Sequence, residues 1–332
     1  MALPKVRIGV LLPTRGLLLG PTAPLNADGV IKLAQQAESA GLDSVWVGDS
    51  LTAKPRLEPL ATLSAVAART ETVRLGTAVL LAALRHPVLL AQTAATIDVI
   101  SRGRLVLGVG VGGAFNDEQR REWQAAGVPP GQRARRLEEV LQVLRGLGSG
   151  RQVSFAGRHF NLSGVAMAPR PVQPGGVPLL LACHWRARKE AQIQRAARLA
   201  DGVISISDSP AEYGQLVHRI RDAAAGLGRD LDGFETAFYL TVNVSRDVAK
   251  GEAEAESFLM KYYGANNWGT RWGPFSDPER VKARMMEYVE AGARTLVVRF
   301  ASFEAERQLD VFLNQVAPAF LAPASLAPAS LE

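Results

Sequence analysis

"GRLVLGVGVGG", residues 103–113, decides the fold. The apolar run at 105–107 reads as a buried strand, yet glycines follow at 108, 110, 112 and 113. Glycine has no side chain to pack and weakens a strand, so the backbone must be bare here for a purpose. GVGVGG (108–113) literally satisfies G-x-G-x-x-G. A dinucleotide fold needs that motif after the first strand of a unit of about 30 residues, with an acid about 20 positions on at the next strand's end. Here the next strand starts near Val177, and Glu138 and Glu139 fall inside a helical pattern. That reading is weak beside two others. One is a glycine-lined tight turn without a ligand. The other is a ligand lying flat across the carboxyl end of the strand, where barrel enzymes place their sites.

Outward from this stretch the chain alternates between short apolar runs and longer segments of helical period. Before it lie runs at 6–12, 44–47 and 73–79; after it, runs at 177–183, 202–206, 235–244 and 295–300. Asn26 is placed to cap a helix whose Val30, Leu33, Ala34 and Ala37 share one face, and Gly41 ends it. Further helices are expected at 60–69, 87–100 and 132–147, ending near Ala200 and Ala225, after Asp277-Pro278, and at 305–320. Pro87 suits a first helical turn, where its missing N–H costs nothing. Eight strands, each followed by a helix, predict an α/β fold, a (β/α)8 TIM barrel. Its usual length is about 250 residues, so insertions are expected. A small hairpin around Gly157 (151–162) precedes strand five, and an aromatic, Gly- and Asn-rich segment (262–275) precedes strand eight, as a lid or an oligomer contact. Residues 1–320 read as a single domain. The Pro/Ala/Ser-rich 321–332, with its LAPAS repeat, reads as a disordered tail.

Composition narrows the function. The 332 residues are 47% hydrophobic and 21% charged, as in ordinary globular enzymes. A net charge of +6 favours anionic ligands, but the 38 Lys and Arg are scattered and aromatics reach only 6%, which argues against nucleic acid. No run has the length to span a bilayer, and no cleavage site follows the N-terminal apolar run, so a cytoplasmic location is expected. Cys183 is the single cysteine, and the four histidines lack ligand spacing, so neither a disulfide nor a metal site is expected. There is no G-x-S-x-G nucleophile elbow.

Four stretches follow one another at a characteristic spacing: "GLDSVWVGDS" (41–50), "TVRLGTAVLLAALRHPVLLAQTAATIDVISRGRLVLGVGVGG" (72–113), "RARRLEEVLQVLRGL" (133–147) and "RAARLADG" (195–202). Together they resemble the bacterial luciferase-like family of flavin- and deazaflavin (F420)-dependent oxidoreductases, over roughly residues 6–320. The resemblance implies a barrel whose carboxyl-end mouth holds FMN or coenzyme F420. It implies a non-prolyl cis bond at Ala78–Val79, as a bulge beneath the ring, with Gly110, Val111 and Gly112 beside it. It places the cofactor phosphate in the loop after strand five, at Cys183, His184, Trp185 and Arg186, and it implies a homodimer. The residues depart from the family pattern twice. The phosphate loop, "LLLACHWRARKE" (179–190), lacks glycines, and Arg186 and Arg188, expected just inside the helix, offer side-chain charge instead. Many relatives carry a histidine after the acid ending strand two; here the pair is Asp49-Ser50. A serine cannot shuttle protons near neutral pH, which leaves His184 as the histidine expected at the mouth, with His86 near it.

Asp49, Ser50 and His184 are thus the candidate catalytic residues, and Trp46, Trp185 and Phe115 the apolar groups expected to face a small apolar substrate. Asp208, Asn243 and Arg299 are further polar residues at the mouth, expected as loop caps or a barrel salt bridge. Within the resemblance, three functions stand. The first is a monooxygenase using oxygen and reduced FMN from a separate reductase. The second is an F420-dependent hydride-transfer enzyme, which the basic charge favours mildly because that cofactor has a polyanionic tail. The third is a non-catalytic flavin-binding or partner subunit.

Overall fold

The computed structural model describes residues 6–19, 26–264 and 269–321. Eight parallel strands close on themselves: Arg7–Leu11, Ser44–Val47, Arg74–Thr77, Leu105–Val109, Leu179–Ala182, Gly202–Ile206, Glu235–Val244 and Thr295–Phe300. Strand eight returns to strand one through the register Arg7↔Thr295 and lies beside strand seven through Arg299↔Thr241. This is the (β/α)8 barrel expected. Outward side chains of the strands pack against the surrounding helices. Helix Asp28–Ser39 buries Val30, Leu33, Ala34 and Ala37, the face its period predicts. Its cap is Ala27, one residue past Asn26, whose Oδ1 still accepts a bond from Asp28 N at 3.1 Å. Helix Pro87–Ile100 starts at the expected proline, with His86 as its cap.

Inside the barrel one residue fills the middle. Trp46 is fully buried, and its indole Nε1 donates to Ser44 Oγ at 2.9 Å. It fits because strands one and three carry glycine beside it. A Cβ on Gly76 would lie 2.1 Å from the indole, and one on Gly9 would lie 2.7 Å from Nε1. Leu11, Val106, Leu180, Ile204, Ala237 and Val297 complete this inner cluster. Trp46 is therefore the barrel's plug and does not face a substrate as its place at the end of strand two suggested.

The glycines of strand four have the same kind of explanation. A Cβ on Gly108 would sit 2.1 Å from the Thr77 carbonyl oxygen. One on Gly110 would sit 2.7 Å from Val79 Cγ2 and 3.4 Å from Ala182 Cβ. The Ala78–Val79 bond is cis, and the segment beyond it stays bound to strand four: Leu80 N donates to Gly108 O at 2.7 Å, and Gly110 N to Leu80 O at 3.0 Å. Gly112 has φ +75°, a conformation that favours glycine. The bare backbone thus first admits the protein's own neighbouring strand end, with no ligand needed to explain it.

Both insertions stand where expected. Hairpin strands Val153–Ala156 and Asn161–Val165 precede strand five, and the Glu139 carboxylate accepts from the N–H groups of Arg158, His159 and Phe160 at their turn. The segment before strand eight is larger than its sequence suggested. It holds helix Val248–Tyr263, a short strand Phe275–Ser276 beside the end of strand seven, and helix Pro278–Glu290 capped by Asp277. Helix Val248–Tyr263 hid in the sequence because its buried positions include Gly251 and Ala255, which leave a faint apolar stripe. Helix Asp117–Ala125 hid because only Glu122 and Trp123 are buried along it. Of the 262–275 segment, 265–268 lie outside the described residues, as do 322–332 of the tail.

Candidate functional site

The carboxyl ends of the strands form the mouth, and its two sides differ. On the side of strands two to five the side chains are small and apolar. Val79 and Ala182 are half-buried and pack on the inner cluster, with Ala78 beside them. Val111 turns outward against the helix layer, so Gly110, Val111 and Gly112 offer backbone rather than side chains. The loop is clamped: Trp123 Nε1 donates to Gly113 O at 2.8 Å and Arg133 Nε to Gly112 O at 3.1 Å.

The Asp49-Ser50 pair is built into this wall. Asp49 Oδ2 accepts from Leu81 N at 2.9 Å and from Arg85 Nη1 at 2.5 Å, holding the turn after the cis bond. Arg85 also meets Glu58 at 2.9 Å. Ser50 Oγ donates to Glu122 Oε1 at 2.7 Å and accepts from Lys54 N at 2.8 Å. Buried Glu122 accepts from Thr52 N and Ala53 N as well, so the loop after strand two is tied to helix Asp117–Ala125. Both residues brace the mouth, and each spends its oxygens within the protein.

The loop after strand five departs from the expected helix start. Trp185–Ala187 is a short 3-10 turn, Arg188 adopts φ +45°, and the helix begins at Glu190. Arg186 and Arg188 therefore lie before the helix and are exposed. Asp208, fully buried, organises this loop: it accepts from Trp185 N at 2.9 Å, Arg186 N at 3.4 Å and Ser205 Oγ at 2.7 Å. Its role is the loop cap expected of it. His184 Nδ1 lies 3.4 Å from Ser205 Oγ. Burial holds the imidazole below its ordinary pKa against the pull of Asp208, which keeps it neutral at pH 7. Cys183 points outward into the helix-facing core, its Sγ 3.6 Å from Gln192 O, and burial pushes the thiol up to about 12. Trp185 packs half-buried against the same outer core. Phe115 is 85% exposed, and His86 faces Phe160 edge-on at 5.5 Å. Among the described residues no cluster of His, Cys, Asp and Glu is arranged to hold a metal.

The other side of the mouth, at strands one, seven and eight, is aromatic and cationic. Arg299 points inward near the end of strand eight and is 3% exposed. Its guanidinium carbon lies 4.6 to 5.5 Å from the ring centroids of Trp272, Tyr263, Tyr262 and Tyr239. One nitrogen, Nη1, donates to the Tyr263 hydroxyl; buried Nε and Nη2 have no hydrogen-bond partner among the described residues. The barrel salt bridge expected of it does not form: no carboxylate among the described residues pairs with it. Arg15 and Arg56, which the sequence gave no reason to single out, approach the Tyr262 ring at 5.1 and 5.9 Å. Asn243 braces the neighbouring backbone, donating to Ala301 O at 3.1 Å and accepting from Gln308.

Comparison with known proteins agrees with the fold. The profile of the luciferase-like monooxygenase family matches residues 6–272. The chain is 29% identical over 325 residues to an F420-dependent glucose-6-phosphate dehydrogenase of Amycolatopsis mediterranei (strain U-32), covering 88% of this chain and 94% of that protein. Its fold superposes on the monooxygenase RslO1 from Streptomyces bottropensis with a TM-score of 0.79 at 22% identity, over 95% of this chain and all of that one (100%). It superposes on an F420-dependent secondary alcohol dehydrogenase in complex with an F420–acetone adduct with a TM-score of 0.76 at 21% identity, over 96% and 100% of the two chains. A closed parallel barrel and a profile spanning most of the chain lead to one conclusion: this protein is an enzyme of the luciferase-like monooxygenase family.

Proposed function

We propose that this enzyme is an F420-dependent oxidoreductase that moves hydride between the deazaflavin and a small organic substrate. The carrying observation is the similarity, across 88% of the chain, to an F420-dependent dehydrogenase. The small apolar side chains on the strand-three and strand-four side of the mouth support placing a flat ring there. Val79 and Ala182 would supply small apolar contacts there, with Val79 itself seated against Gly110. When bound, the deazaflavin supplies a carbon centre that gives or takes hydride. The protein's part is to position and to exclude water. Trp46 closes the floor, the Asp49–Arg85 pair fixes the segment after Val79, and the Ser50–Glu122 bond fixes the loop beside it. His184, neutral and braced by Ser205, would stand on the phosphate side of the cofactor. Exposed Arg186 would supply charge where the loop lacks glycines. On this reading no flavin reductase partner is needed. A homodimer and a cytoplasmic location are carried forward as part of the proposal; among the described residues no helix is long and apolar enough to cross a membrane.

The test is a pair of titrations followed by cofactor fluorescence. F420 is expected to bind in the micromolar range and FMN far more weakly. Tighter binding of FMN, with oxygen uptake when reduced FMN is supplied, would replace this reading with the monooxygenase one. Binding of neither would overturn both cofactor readings.

A further inference from the structure

Buried charges in proteins are paired, because an unpaired one forfeits its hydration without compensation. Arg299 breaks this rule at the mouth of the barrel. A guanidinium stays protonated, and its aromatic neighbours supply ring faces but no formal charge. Burial pushes Tyr239 and Tyr263 up from the usual phenol value, so neither becomes a counter-ion at neutral pH.

Two more arginines converge on the same ring without a carboxylate partner among the described residues. Arg15, 7% exposed, spends Nε on Tyr262 O at 3.2 Å and Nη1 on Pro55 O at 3.0 Å, both neutral acceptors. Arg56 spends Nε on Lys54 O at 3.1 Å and lays its Nη1 over the bare end of strand two, where a Cβ on Gly48 would be 2.3 Å away. The acid that acts on Arg15 electrostatically, Glu118, is exposed and paired with Lys54 at 3.2 Å. A cavity of about 20 Å³ bordered by Leu11, Phe258, Tyr262, Arg299 and Ser302, but by neither Arg15 nor Arg56, leaves room beside the Arg299 guanidinium for one oxygen-sized atom.

We propose that Arg299, Arg15 and Arg56, gathered round Tyr262, form the receptor for an anionic group on the substrate: a carboxylate, sulfonate or phosphate. The assignment to substrate rests on the hydride-transfer reading above. The apolar wall at strands three and four lies across the mouth from Arg299, while Arg56 reaches over the end of strand two on the near side of Ala78. Arg299 supplies two open donors in a fork that matches such a group, and the aromatic walls exclude competing water.

The test uses the whole protein without cofactor. Sodium acetate, sodium methanesulfonate and inorganic phosphate are titrated against sodium chloride at matched ionic strength, with thermal midpoint and calorimetric heat as readouts. At least one anion is expected to bind saturably. Arg299→Met is expected to lose that binding and Arg56→Met to weaken it about tenfold. Should Arg299→Met not fold, Arg56→Met, at a half-buried loop position, decides the outcome. Equal response to all salts, or unchanged binding in the variants, overturns the proposal. A parallel F420 titration separates the two claims. F420 binding without anion binding sinks the receptor alone, and anion binding without F420 binding sinks the hydride-transfer reading and the assignment to substrate while the anion receptor stands. Competition between simple anions and F420 would assign the arginines to the cofactor's acidic tail and overturn the substrate assignment.

Discussion

Two arginines face the barrel axis at opposite ends. Arg74 opens strand three at the amino end and makes a bidentate pair with Glu235, at 3.1 and 2.8 Å. Arg7 reaches the same carboxylate at 3.3 Å, Thr295 donates to it at 2.7 Å, and Asp43 lies 3.5 Å from Arg74. There two arginines meet two acids. Arg299, near the carboxyl end of strand eight, meets aromatic rings and one phenol hydroxyl. Between them stands Trp46, which seals one end from the other. The difference teaches where this fold spends charge on its own stability and where it leaves charge open. The amino end of such barrels holds the structure together; the carboxyl end meets ligands.

The sharpest way to break this comparison is to remove each arginine in turn. Arg74→Met removes the bidentate partner of nearly buried Glu235 and leaves it Arg7 and Thr295; loss of hydrogen bonds to a charged group of this kind costs about 1.5–3 kcal/mol. Urea unfolding should show that loss, and a cost below about 1 kcal/mol would deny the amino end its structural role. The plug between the ends comes next. Gly76→Ala places a Cβ 2.1 Å from the Trp46 indole. Overpacking of this kind costs about 1–3 kcal/mol, read in the same unfolding experiment.

Acid should act on the amino end as well. Burial would raise the Glu235 pKa, but the bond to Arg74 and the charges of Arg74 and Arg7 outweigh it and hold the carboxyl below its ordinary value. A depressed carboxyl contributes stability above its unfolded value, about 4.3, and loses it as pH falls through the folded value. Asp43 opposes this in part, because burial raises its pKa. Denaturant midpoints measured from pH 7 downward should therefore fall in acid, and less steeply in Arg74→Met.

Arg299→Met gives the opposite expectation from Arg74→Met. Replacing a buried charge that lacks a counter-ion by an apolar side chain of similar length should leave stability unchanged or higher. A loss as large as that of Arg74→Met would show that the aromatic cage is structural. The smallest effect belongs to Phe115→Ala, at a side chain 85% exposed, with an expected change within about 0.5 kcal/mol.

Much of the frame was legible in the sequence. Strands at 44–47, 202–206, 235–244 and 295–300 and the helix at 87–100 stand on the residues their patterns mark, because buried parallel strands read as unbroken apolar runs. The resemblance located the cis bond at Ala78–Val79. The packing at the mouth was less legible. Trp46 passed for a substrate-facing group because its neighbours Gly9 and Gly76 are remote in sequence. The glycines of 108–113 suggested a ligand because Thr77 and Val79, whose atoms use the space, belong to another strand. Arg15 and Arg56 carried no signal, since a loop arginine is ordinarily a solvated charge.

The sequence by itself determined the order of strands and helices, the two insertions and the family, because local period and motif spacing are properties of neighbouring residues. Tertiary structure decided which glycine makes room for which side chain, and which arginines find an acid. Those outcomes depend on strand register and barrel closure, which bring Arg15, Arg56, Tyr262 and Arg299 together from four distant segments and place no described carboxylate beside Arg299 to neutralise it.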